Sequence, residues 1–229
     1  MPSRLMRRSG TSAVHMSKLI GWRPKTVIQA GIGLNWEEVD CFMEQWPDIH
    51  FEGFEPNPLL IRKLKKANYP GNYYPYAIGD AKGIGELRYR RRHKDGSSLN
   101  DIGDKEDEPT KTASVEIVTL DEFFAGTVFE QPILLWLDCE GYELKALRGA
   151  EAFLEGVGMI NVEMTGNPNG EGWCKPWEVH RFIVDHGFVL QYIHTFRNHQ
   201  GQYDGLYVRP CMFHLEYSCS PCRCKDCGS

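Results

Sequence analysis

The sequence predicts an α/β domain with a mainly parallel, Rossmann-like sheet and helices on both faces. Three observations point there. A strand–turn–helix–strand unit opens the folded part at 26–58, strand-type and helix-type segments alternate almost to the end, and an unbroken apolar run fills 132–137.

In the opening unit, Val27-Ile28-Gln29-Ala30 is a short apolar run that stops at Gly31-Ile32-Gly33. A helix-type segment spans 36–46, and His50-Phe51-Glu52-Gly53-Phe54 reads as a second strand ending on Glu55-Pro56-Asn57-Pro58. The two glycines permit a tight turn and let a ligand approach the backbone with no Cβ in the way. The helix N-terminus that follows offers N–H groups and partial positive charge to an anionic group. A carboxylate at the tip of the second strand accepts both hydroxyls of a ribose, and Glu55 follows Gly31 at close to the roughly 20 residues such units show. The pattern therefore reads as a nucleoside-binding unit; its competitor is a plain turn in an α/β sheet. Asn35 stands where a dinucleotide fingerprint carries its third glycine, which argues against a pyrophosphate ligand and a nicotinamide cofactor. Pro56 and Pro58 end the strand sharply and hold Glu55 at the sheet edge.

The 229 residues suit one domain with tails: a flexible basic N-terminal tail at 1–23, a folded domain at 24–210 and a Cys-rich tail at 211–229. Lys+Arg 26 against Asp+Glu 31 gives a net charge of −5, so no global field favours a nucleic acid. No apolar run approaches the roughly 18 residues that cross a bilayer. Arg4, Arg7, Arg8 and Lys18 precede the first acid, Glu37. That leader reads as a disordered basic tail, with an organellar transit peptide of poor amphipathic pattern as the alternative, and no apolar segment follows it as in a secretory signal. Cys41, Cys139, Cys174 and Cys211 are scattered as free thiols in a reducing compartment would be, so a cytoplasmic location is expected.

After the opening unit, Leu59, Leu60, Leu64 and Ala67 define one face of a helix. Residues 72–78 read as a third strand stopped by Gly79-Asp80, which puts Asp80 at a strand tip like Glu55. Alternating segments at 86–90 and 115–118 flank a polar stretch, 91–111, expected to form a loop or lid. Thr119-Leu-Asp-Glu122 has capping-box spacing and starts a short helix. The run 132–137 is what a central parallel strand buried on both faces requires. It ends in Asp138-Cys139-Glu140-Gly141-Tyr142-Glu143, before a helix expected over 142–154. A strand at 159–164 ends near Glu163, a Gly/Asn-rich loop at 165–175 carries Trp173, and a helix at 176–186 is closed by Gly187. Two last strands, 188–193 and 205–208, form a hairpin. Glu55, Asp80, Asp138 and Glu163 thus all fall at strand ends, the edge where open parallel sheets bind ligands. His180, His186, His194 and His199 have no matching partner and read as structural or surface residues.

The segment Leu134-Leu-Trp-Leu-Asp-Cys-Glu-Gly-Tyr-Glu-Leu-Lys-Ala-Leu-Arg-Gly-Ala150 resembles the signature of the FkbM-type S-adenosylmethionine-dependent methyltransferases. Phe54-Glu-Pro-Asn-Pro58, Tyr76-Ala-Ile-Gly-Asp-Ala-Lys-Gly83, Gly96-Ser-Ser-Leu99 and Val118-Thr-Leu-Asp-Glu122 match that family as well, and the resemblance spans about 25–209. It implies a class I methyltransferase fold: a seven-stranded, mainly parallel sheet with a C-terminal antiparallel hairpin, binding S-adenosyl-L-methionine at the strand tips. Gly31 and Gly33 would flank the methionine part, Glu55, with Pro56 and Asn57, the ribose, and Asp80 the adenine; Asp138 would face the reactive centre. The family's first strand usually ends in Asp, where this chain has Gln29, which hydrogen-bonds but carries no charge for the ligand's ammonium. The resemblance also implies O-methylation of a hydroxyl on a sugar or natural product.

Such a transfer needs the acceptor oxygen held near the methyl and relieved of its proton. Asp138 is the first candidate base and Glu140 the second, each with helix capping as its competing role. Glu163 is a third candidate, as base or acceptor contact, and Trp173 a candidate acceptor contact with packing of its loop as the alternative. In the tail, Cys219, Cys222, Cys224 and Cys227 form two Cys-x-x-Cys pairs; they suit a zinc ion by pair spacing, although one residue between the inner cysteines leaves little room to wrap it. Loss of turnover, leaving a Rossmann-like binding or scaffold protein that acts through this tail, is the alternative function.

Overall fold

Val27 to Ala30 lie in strand β1 (Thr26–Ala30), buried throughout, as parallel strands covered on both faces must be. The structure is a computed structural model, and it describes residues 14, 17–18, 21–33, 37–68, 70–90, 96–103, 108–166, 171–195 and 201–213. Helix α1 (Glu37–Gln45), strand β2 (His50–Phe54), helix α2 (Pro58–Ala67) and strand β3 (Asn72–Tyr74) follow. Proline opens α2, and the Asn57 side chain accepts a hydrogen bond from Leu59 N at 2.9 Å to cap it. Its buried face is Leu60, Ile61 and Leu64. The expected face differs at its ends: Ile61 replaces Leu59 as a fully buried member, and Ala67, in the last turn, is exposed.

The expected single strand 72–78 is two strands in two sheets. Pro75 has no N–H to continue the ladder, so β3 pairs with β2 while β4 (Tyr76–Ile78) turns away. With β5 (Gly83–Tyr89) and β6 (Lys111–Val118), β4 makes a separate three-stranded sheet of order β4-β6-β5. Helix α3 (Leu120–Phe123) starts as its capping spacing predicts, with Thr119 Oγ1 accepting from Glu122 N at 3.2 Å.

Strand β7 (Ile133–Leu137) is buried at every position, and β8 (Val157–Thr165) lies parallel beside it. Helix α4 (Glu143–Arg148) and a 3-10 turn (Phe153–Gly156) separate them, and α5 (Pro176–Asp185), β9 (Val189–Thr195) and β10 (Gln202–Val208) complete the sheet. Its order is β3-β2-β1-β7-β8-β10-β9, with β10 the only antiparallel strand. The chain runs outward from β1 to β3 and then returns to β7 on the other side of β1. That reversal opens a crevice at the C-terminal strand ends.

Alternate residues of β7 serve opposite faces. Leu134 and Trp136 pack with Phe42, Trp46, Phe51, Met159 and Leu206, whereas Ile133, Leu135 and Leu137 pack with Phe54, Leu147, Val179 and Phe188. Val14 and Trp22, within the segment read as an N-terminal tail, are buried in the first of these clusters.

The expected helix 142–154 ends early, at Arg148. A Cβ on Gly149 would stand 1.9 Å from the Gly79 carbonyl oxygen, so this glycine lets the end of α4 approach the end of β4. Asp121 then accepts from Ala152 N and Phe153 N at 3.1 and 2.7 Å, tying α3 to the 3-10 turn. Among the described residues no helix is long and apolar enough to cross a membrane.

Arg209 closes the far end of the sheet. Buried to 4% exposure, its guanidinium donates to the carbonyls of Leu154, Val157 and His186 and lies 4.2 Å above the Phe188 ring. Arg209→Ala leaves three carbonyls, two of them buried, without this donor and is expected to cost about 3 kcal/mol or more in urea unfolding. A loss under about 0.5 kcal/mol would show that the cluster is not a structural tie.

Candidate active site

The loop after β1 is built around close approach. Gly31 has φ 82°, and a Cβ there would stand 1.8 Å from the Asp138 carbonyl oxygen. Gly31 N donates to Phe54 O and Asp138 N to Ala30 O, both at 2.9 Å, so the tips of β1, β2 and β7 are joined through backbone alone. Gly33, at φ 65°, has nothing within 4 Å of where its Cβ would be.

Glu55 emerges from β2 into this loop, 4% exposed. Its Oε2 accepts from Ile32 N and Gly33 N at 3.3 and 2.9 Å, and its Oε1 from Asn57 N at 2.8 Å. Burial still outweighs these donors and raises its pKa to about 7. Gln29, 1% exposed, turns its amide to Gly31 O at 3.1 Å, where it props the turn. Asn57 is fully buried, capping α2 with its oxygen and donating Nδ2 to Ser97 Oγ at 2.9 Å. Pro56 is partly exposed between them, and Asp80 is exposed in the turn after β4, in the smaller sheet.

Beyond β7 the chain makes a tight turn in which Glu140 has φ 50° and Gly141 φ 89°. A left-handed non-glycine residue costs roughly 1 kcal/mol, strain that sites of function often hold. The turn is organised by Glu143, whose Oε1 accepts from Cys139 N at 2.9 Å and Gly141 N at 3.0 Å. Its Oε2 takes Cys174 Sγ at 3.2 Å. Glu143 therefore performs the cap-like work that the sequence offered to Asp138 and Glu140. It is 3% exposed, and burial raises its pKa. The same surroundings push the Cys174 thiol up to about 12, first by burial and then by Glu143. The sequence did carry a signal for Glu143: an acid in the first turn of an apolar helix, directly after a Gly-containing turn.

Residues 96–103 strap this turn from outside. Ser98 Oγ donates to Glu140 O at 2.6 Å and Asn100 Nδ2 to Gly141 O at 2.9 Å. Trp173 packs against the same turn so closely that a Cβ on Gly141 would stand 2.4 Å from its ring, and its Nε1 donates to Asp101 O at 2.7 Å. Its packing role is thus realised.

Asp138, Glu140 and Glu163 come together. Each offers a carboxylate oxygen, all within 4.8 Å of one another and all partly exposed. Glu163 also bonds Gln202 Nε2, and its carboxyl is pushed well above the usual range by burial first and then by the Glu140 charge. Three acids at this distance repel unless a proton or a cation is shared; their oxygens are of the type that hard divalent ions take. Of the four acids expected at one edge, Asp138 and Glu163 meet directly and Glu55 faces the adjoining loop. The tail cysteines Cys219, Cys222, Cys224 and Cys227 lie outside the described residues, as does His199.

The strand order, the single antiparallel β10 and the crevice beside the Gly31 turn define a Rossmann-like class I methyltransferase fold. The chain matches the methyltransferase FkbM domain over residues 32–203, and it belongs to that family. No curated protein matches it in sequence. Among solved structures, the plantazolicin methyltransferase BpumL in complex with SAH is similar at 11% identity and TM-score 0.50, covering 90% of this chain and 83% of that one. Magnesium protoporphyrin IX methyltransferase from Synechocystis PCC 6803 with bound SAM has 10% identity and TM-score 0.47, covering 90% and 80%. Precorrin-6y C5,15-methyltransferase from Geobacter metallireducens GS-15 has 14% identity and TM-score 0.46, covering 91% and 92%. At such identities the likeness is one of fold.

The raised Glu55 pKa has a direct consequence for stability. Its folded value lies above the ordinary value of 4.5, so the folded state holds the extra proton between those limits. Its contribution is complete below pH about 4.5 and lost as pH rises through about 7. Urea unfolding of wild type and Glu55→Gln at pH 5 and pH 8 is expected to show the wild type losing about 2–3 kcal/mol more than the variant. Equal losses in both proteins would show that Glu55 does not titrate in this range.

Proposed function

We propose that this methyltransferase moves the methyl group of S-adenosylmethionine to a hydroxyl oxygen of a small acceptor, a sugar or another hydroxyl-bearing natural product. The convergence of Asp138, Glu140 and Glu163 carries this reading, because a hydroxyl, unlike a thiolate or a neutral amine, must lose its proton as it reacts.

Glu55 supplies the test of fit for the cofactor. It is a buried carboxyl whose Oε1 accepts, among the described residues, only from Asn57 N, so paired ribose hydroxyls would add the donors that burial makes valuable. In this reading Gly31 and Gly33 border the methionine part, Gln29 holds the turn that receives it, Glu55, Pro56 and Asn57 border the ribose, and Asp80 the adenine. Bound there, S-adenosylmethionine supplies a methyl carbon already activated on a sulfonium. The chain's own residues then have to align the acceptor oxygen and accept its proton.

Asp138, at the tip of the central strand, is the base in this scheme. Glu163, whose carboxyl is pushed well above the usual range by burial and then by the Glu140 charge, donates a hydrogen bond to the acceptor when it holds a proton. The 96–103 strap and Trp173 form the wall against which the acceptor lies.

Two measurements test the proposal. Calorimetric titration with S-adenosylmethionine and S-adenosylhomocysteine is expected to give binding that Glu55→Ala weakens at least about tenfold; no binding by folded protein would overturn the cofactor assignment. With a radiolabelled methyl donor and a panel of sugars, phenols and amines, label is expected on oxygen. Asp138→Asn should lower that turnover by about 10²–10⁴ while the melting temperature and S-adenosylhomocysteine affinity hold. Methylation of amines alone, or full turnover by the variant, would sink the O-transfer scheme.

A further inference from the structure

A second cavity, of about 550 Å³, lies on the face of β2 that α3 and the loop 127–130 cover. It reaches Thr26 and His50, the first residues of β1 and β2, and so opens away from the strand tips that carry the acids. Its walls are aromatic. Ring centroids run from Tyr74 to Phe123 at 4.8 Å, to Phe124 at 5.0 Å, to Phe129 at 4.8 Å and to His50 at 5.7 Å.

Within this aromatic lining sits Glu52, 4% exposed. Its Oε1 is served by His50 Nε2 at 2.5 Å and by Asn72 Nδ2 at 2.9 Å. Its Oε2 is buried and has no hydrogen-bond partner among the described residues. The Tyr74 phenol also lines the cavity, and burial first, then a side-chain contact with Glu52 and its charge, push its pKa up to about 12. The lining includes no lysine or arginine among the described residues, and Lys25 is engaged at the rim with Glu130 at 3.1 Å.

The chemistry excludes most occupants. An anion meets a carboxylate, and the one basic side chain of the described lining, His50, is already engaged with that carboxylate. A purely apolar ligand leaves Oε2 desolvated and unbonded, which is costly. A divalent metal asks for six or more oxygens and finds one open carboxylate oxygen. A protonated amine on an apolar or aromatic body satisfies both halves of the site, because its N–H donates to Oε2 and its charge lies against aromatic rings. We propose that this cavity is a second ligand site, separate from the transfer site, and that it takes an organic ammonium.

Phenethylammonium is the probe, titrated into the full-length protein by calorimetry with and without saturating S-adenosylhomocysteine. Saturable binding is expected in both conditions. Glu52→Gln and Phe129→Ala are each expected to weaken it about tenfold or more, and the neutral isostere 2-phenylethanol to bind at least about tenfold more weakly. Val128→Lys changes a side chain that is 94% exposed, so folding is not at stake. Its fixed cation at the rim should also weaken the probe several-fold, and added salt should partly restore it. The proposal is overturned if wild type shows no saturable binding, if the alcohol binds as well as the ammonium, or if S-adenosylhomocysteine displaces the probe. Full affinity in Val128→Lys, or in a folded Glu52→Gln, would overturn it as well.

Discussion

At Gly31 two pieces of backbone come closer than any side chain permits, with the Asp138 carbonyl occupying the place of a Cβ. The site depends on that contact. It sets the tip of β1 against the tip of β7, and the hydrogen bonds from Gly31 N to Phe54 O and from Asp138 N to Ala30 O bring in β2. Three strand ends are thereby held at fixed separations before any functional side chain is considered. The crevice at the reversal of strand order follows from the topology, but its floor follows from a missing methyl group.

Around that floor the protein buries acids and satisfies them unequally. Glu143 receives two backbone N–H groups and a thiol, and it shapes the turn that presents Asp138 and Glu140. Glu55 receives three N–H groups and couples the tip of β2 to the Gly31 loop. Glu163 receives Gln202 but also feels the charges of Glu140 and Asp204. In a medium of low dielectric these differences separate the acids: two organise backbone, and burial and neighbouring charge push the carboxyl of the third above its usual range. The motif Asp-x-Glu-Gly-x-Glu is accordingly two kinds of residue in one string, with its last acid holding the first two in place.

Much of this was legible from residue order. The unbroken run 132–137 could only be a strand covered on both sides, and the spacing of Gly31, Glu55 and Asp138 with strands between them marked the ligand edge. The capping signal at Thr119–Glu122 was local and held. What misled was non-local or hidden in a single residue. Pro75 moved β4 into another sheet, and Asp80 with it. The Gly79–Gly149 approach ended α4 after six residues, where periodicity alone extended the helix to 154. Trp173 had two plausible roles, and packing gave it structural work; Asn57, expected beside the ribose, also caps α2.

The sequence by itself determined the alternation of strands and helices, the central buried strand, the glycine turn and the family, because each is written in periodicity or in a short contiguous motif. Only the tertiary structure decided which acids meet. Asp138 and Glu163 are separated in sequence by a helix and a 3-10 turn, and they come within reach because β7 and β8 pair in parallel. The aromatic cavity over Glu52 was likewise invisible in order, since its walls come from β2, β3, α3 and a loop. Such placements arise from strand pairing and packing between residues distant in the chain, and no local pattern encodes a distance across a sheet.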